Sequence, residues 1–66
     1  PPGVKFRVYR CLGQTYAHFD RYADADKAFT LALSAAKEAQ LDAGDSTQWQ
    51  AYVQKKLKAN SRSTGR

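Results

Sequence analysis

The sequence predicts an all-α chain, and three observations carry that prediction. Large apolar residues recur at steps of three and four through most of its length, the spacing that gathers side chains on one face of a helix. The central segment is rich in alanine, the strongest helix former. No stretch alternates apolar and polar residues with period two, so no half-buried strand is expected.

Residues 1–5 read as a short lead-in, and the first helix is expected from Phe6. Along it Tyr9, Leu12, Tyr16 and Phe19 share a face. Gly13 interrupts this helix, where glycine costs ~1 kcal/mol relative to alanine. A bare backbone at that point implies the close approach of another helix. Asp20-Arg21 makes a polar connection, with Asp20 placed to cap a second helix and Asp24 and Asp26 near its positive end. From Tyr22 the residues Ala25, Ala28, Phe29, Ala32, Leu33, Ala35, Ala36 and Leu41 keep helical spacing, which completes a hairpin over 6–43. Gly44 suits a left-handed helix stop, and Asp45 or Ser46 a new N-cap. Trp49, Tyr52, Val53 and Leu57 mark a third amphipathic helix over 45–59. Residues 60–66 have no apolar anchor and are expected to form a disordered basic tail.

The hairpin carries a recognisable order of residues: Tyr9-x-x-Leu12-Gly13-x-x-Tyr16, then Tyr22-x-x-Ala25-x-x-x-Phe29-x-x-Ala32. This resembles the tetratricopeptide repeat, whose pattern is W-x2-L-G-x2-Y, then A-x3-F, then P. The likeness covers about half the chain, from Phe6 to Ala36. Tyr9 replaces the tryptophan, Asp20 stands where a turn glycine is common, and Lys37 takes the place of the proline. Without that proline the second helix has no stop at the usual boundary. Tyr9 and Trp49 are 40 residues apart, against a usual period of about 34. Trp49-x-x-Tyr52-Val53 lacks the Leu-Gly pair, so the third helix reads as a cap on the end of an array rather than the start of a full new repeat. In such a hairpin Gly13 and Ala25 would face each other at the crossing, surrounded by Leu12, Tyr16, Phe29 and Ala32.

The resemblance implies a noncatalytic interaction module or adaptor that binds a partner peptide or helix. Its first helix would line the groove with Arg7, Arg10, Gln14, Ala17 and His18, with Cys11 at the edge. Two arginines and a glutamine one turn apart can grip a carboxylate, because guanidinium forks match carboxylates in bidentate geometry; an acidic peptide is one candidate partner. An ordinary solvated helix face explains the same residues. The family also implies neighbouring repeats or self-association, since at least about three repeats are usually needed for stability.

Charge and composition bound the alternatives. The net charge of +5 arises entirely after Thr47, in Lys55, Lys56, Lys58, Arg62 and Arg66; the preceding acidic and basic residues cancel. This basic end can simply solvate a helix terminus, or can touch nucleic acid or an anionic surface without sequence preference. The latter is the alternative function. Cys11 is the only cysteine and His18 the only histidine, so no disulfide forms within the chain and no metal cluster or other cofactor is expected. His18 has no nucleophile or carboxylate at a catalytic spacing, and no enzyme constellation stands out. Cys11 is read as a half-buried packing residue. An unpaired cysteine suits an intracellular setting, cytoplasmic before nuclear. No run is apolar enough to span a membrane. With no methionine and a Pro-Pro-Gly start, the chain reads as a piece of a longer repeat protein.

Overall fold

The computed structural model describes residues 2–64, with the side chains of residues 3–59. Three helices follow one another: α1 (Pro2–His18), α2 (Tyr22–Ala39) and α3 (Asp45–Thr64). The first two pack closely as an antiparallel hairpin, and α3 lies against α2 with little contact to α1. The pairings Trp49 with Phe29 and Tyr52 with Tyr22 run in opposite directions along the two helices, so α3 is antiparallel to α2.

The helix limits differ from the expected ones at both ends of the chain. α1 starts at Pro2 rather than Phe6, because a proline in the first turn gives up only an N–H that would be unbonded anyway. α3 continues to Thr64 rather than stopping at Ala59; no proline or glycine breaks it before Gly65. Arg66 and the side chain of Arg62 lie outside the described residues.

Both hairpin helices end in the same way. The Arg21 N–H donates to the Tyr16 carbonyl (2.8 Å) and the Asp20 N–H to that of Ala17 (3.1 Å). The Leu41 N–H likewise donates to Ala36 (2.8 Å) and that of Gln40 to Lys37 (3.2 Å). These are Schellman closures, in which the residue after the helix takes the left-handed conformation. Asp20 (φ 62°) and Gln40 (φ 57°) occupy those positions. Asp20 therefore terminates α1 rather than capping α2. Arg21 stands at the start of α2 with no side-chain cap bond, and its guanidinium lies 5.6 Å from the Tyr16 ring centroid. Gly44 is left-handed as expected (φ 56°), but it belongs to the linker, where its N–H donates to Asp42 Oδ1 (2.9 Å).

α2 is the middle helix and must bury two faces, which explains its alanines. Ala25, Ala28, Ala32, Ala35 and Ala36 are all buried, with Phe29 fully enclosed among them. Ala17, Ala25, Phe29 and Val53 form the core cluster, and Tyr16, Tyr22, Trp49 and Leu57 pack against it. Gly13 lies against α2, with the Phe29 ring as its nearest neighbour. A Cβ built on Gly13 would lie 2.7–2.8 Å from Cζ, Cε1 and Cε2 of that ring. Near-equal distances to three ring atoms place it over the face of the ring. Because Gly13 takes the inward position, Leu12, one residue round the helix, is 40% exposed instead of filling the crossing.

Polar contacts hold α3 in register. The Gln50 amide donates to Thr30 Oγ1 (2.8 Å) and Asp26 Oδ1 (3.1 Å), and the Gln54 amide to Asp26 Oδ1 (3.3 Å). Asp26 thus accepts across the α2–α3 seam as well as sitting near a helix start.

Candidate functional site

The space between α1 and α3 is an open cleft of about 770 Å³. On α1 the spacing of Gln14, Ala17 and His18 puts all three on one ridge, and that ridge forms one wall. Asp45, Gln48, Trp49 and Tyr52 form the facing wall by the same spacing on α3. Asp20 closes the end at the α1–α2 turn. Ala17, 6% exposed, lies at the base, while Tyr52 is 44% exposed at the rim.

Aromatic contacts fix the α3 wall. Trp49 stacks on the buried Phe29 with centroids 6.0 Å apart and planes inclined by 18°. Tyr52 meets Trp49 edge to face at 6.0 Å and 89°, and meets Tyr22 at 6.3 Å and 77°. Such perpendicular pairs satisfy the ring quadrupoles, and they leave a rigid aromatic corner facing the cleft.

Two carboxylates border the cleft, Asp45 on α3 and Asp20 at the α1–α2 turn. Asp45 is bound by Arg10, Nε to Oδ1 at 3.2 Å and the second guanidinium nitrogen to Oδ2 at 3.5 Å. Asp20 accepts a 2.8 Å hydrogen bond from the Tyr22 hydroxyl. That bond to a carboxylate, reinforced by partial desolvation, pushes the Tyr22 hydroxyl up to about 12. Tyr22 supplies a proton donor but no charge, so Asp20 stays uncompensated by it.

The expected groove residues separate into three groups. Gln14, Ala17 and His18 do line the cleft. Arg10 is committed to Asp45. Arg7 lies elsewhere, with Val8, Cys11, Leu12 and Thr15 on a shallow depression of about 480 Å³. The two arginines therefore do not converge on the cleft, and Cys11 is exposed rather than half-buried. Of the basic residues near the C-terminus, Lys55, Lys56 and Lys58 are exposed on α3, and the Lys56 ammonium lies 5.6 Å from the Tyr52 ring centroid.

Asp20, Asp45, Gln48, Trp49 and Tyr52 enter the site only through the structure. The one available signal was the recurrence of residues 45, 48, 49 and 52 on a single helical face, which reads equally as core. No described helix is long and apolar enough to cross a membrane. Compared with protein-family models, curated proteins and solved structures, the chain gives no match.

Proposed function

We propose that this chain is a noncatalytic protein-interaction module of tetratricopeptide-repeat type, which holds a segment of a partner protein in the cleft between α1 and α3. The cleft carries the reading. It has room for side chains of a peptide, a rigid aromatic wall, and hydrogen-bonding groups on both sides from Gln14, His18 and Gln48. Apolar bodies with a few placed polar groups are what such sites use for affinity and orientation.

The repeat assignment draws support from the glycine at the α1–α2 contact and from the way α3 adds to α2. Val4, Val8 and Leu12 are exposed at intervals of four along α1, as a helix would be if a neighbouring repeat stacked upon it. The unpaired Cys11 agrees with an intracellular setting. A second reading rests on the exposed Lys55, Lys56 and Lys58, which suit weak contact with nucleic acid or another polyanion.

The test pans a random dodecapeptide display library against the full chain at physiological salt. A retained peptide should shift amide resonances of Gln14, His18, Gln48, Trp49 and Tyr52 on titration. Absence of any retained peptide, or shifts confined to Lys55–Lys58, would refute the cleft. Submicromolar, sequence-selective binding of DNA or RNA under the same conditions would establish the second reading instead.

A further inference from the structure

The charged and aromatic groups of the cleft define what it selects. We propose that its occupant is a basic peptide segment, whose lysine or arginine side chain sits against the Tyr52–Trp49 corner and beside Asp20. This rests on the cleft being the peptide site, and it reverses the partner charge that two groove arginines would have implied.

The charge, the rings and the amides of the lining converge on a cation. The charged residues lining the cleft are Asp20 and Asp45, with no lysine or arginine among them. Arg10 offsets Asp45, but among the described residues the only side chain that hydrogen-bonds Asp20 is the uncharged Tyr22 hydroxyl, so a negative charge remains at the turn. The rings of Trp49 and Tyr52 stand perpendicular, and an aromatic face attracts a cation placed within about 6 Å of its centroid. Lys56 Nζ, outside the cleft lining, is 5.6 Å from the Tyr52 centroid; it takes part of that ring's face, so a ligand cation must come from the cleft side. There the Asp20 charge must outweigh the repulsion from Lys56. Gln14 and Gln48 add carbonyl oxygens that accept from an ammonium or guanidinium. An acidic side chain would meet Asp20 as a like charge, which rejects it.

The overall charge makes the inference easy to overturn. A chain of net charge +5 attracts acidic peptides and repels basic ones through its general field. Preference for basic peptides must therefore come from the local site. The dodecapeptides retained by the full chain are read for composition, then synthesised and titrated against the fluorescence of Trp49, the sole tryptophan.

Two variants serve as probes. Asp20→Asn keeps a residue that tolerates the left-handed backbone while removing the charge. Gln48→Arg places a cation on the exposed rim with an equally good helix former. We expect retained peptides enriched in lysine and arginine, weakening of about three- to fivefold in Asp20→Asn as for an exposed ion pair, and a larger loss in Gln48→Arg. Replacing the ligand lysine by glutamate should abolish binding. Retained peptides that are acidic or neutral, shift the cleft resonances and ignore Asp20→Asn would overturn the cation preference while leaving the cleft reading intact. If no peptide reaches the cleft, both fall together.

Discussion

Replacing Gly13 by alanine sets two known effects against each other, and the structure decides which wins. In an unobstructed helix the change stabilises by ~1 kcal/mol. Here the new methyl would sit 2.7–2.8 Å from three atoms of the Phe29 ring, whereas carbon atoms rest at about 3.5–4.0 Å. The ring would have to retreat by nearly an ångström. It is fully buried and stacked on Trp49, so it has no free volume to enter. Overpacking of this kind costs about 1–3 kcal/mol, which leaves a net destabilisation of roughly 1 kcal/mol and at most about 2. For a domain near this size that lowers the melting temperature by about 4–15 °C.

Thermal melts followed by circular dichroism measure the shift directly. Gly3→Ala is the control within the same helix, since its Cβ would meet only Leu41 Cδ1 at an ordinary 3.8 Å; it should leave the melt unchanged or raise it. Adding Phe29→Leu to Gly13→Ala should give less destabilisation than the sum of the two single changes, because the smaller side chain relieves the contact. A Gly13→Ala chain that melts at or above the parent would show that the helices do not approach as described.

Two further outcomes test local features. Tyr22 has a folded-state value of about 12 against 10.0 for the free side chain, so its contribution to stability is complete below pH 10 and lost as the pH rises toward 12. An absorbance titration at alkaline pH should show one tyrosine ionising late, and Asp20→Asn should bring that step down; an unmoved step would rule out the Asp20 carboxylate as its cause. Ser46 is fully buried and its hydroxyl has no hydrogen-bond partner among the described residues, so Ser46→Ala should be neutral or stabilising, up to about 1 kcal/mol in a denaturant melt. A clear loss of stability would instead show that the Ser46 hydroxyl is hydrogen-bonded in the folded chain.

The number of helices, the turn regions and the inward role of Phe29, Ala32 and Val53 could be read from the residues alone. Those follow from local spacing, and a 3.6-residue period survives whatever the helix packs against. Gly13 stood out as well, because a glycine inside a helix carries a cost that only a close neighbour offsets. Which neighbour was not legible: the atoms nearest to a Cβ at Gly13 belong to the Phe29 ring. Leu12 is exposed because Gly13 beside it takes the inward position. The end of α1 was hidden because Asp20 suits both a helix start and a left-handed stop, and only the backbone bonds to Tyr16 and Ala17 choose between them. The cleft depended wholly on tertiary structure. Arg10 and Asp45 are 35 residues apart, and nothing local tells that they neutralise each other. Trp49 and Tyr52 belong to the same stripe as Val53, and only the position of α3 across α2 turns two of those rings from core toward the opening beside Asp20.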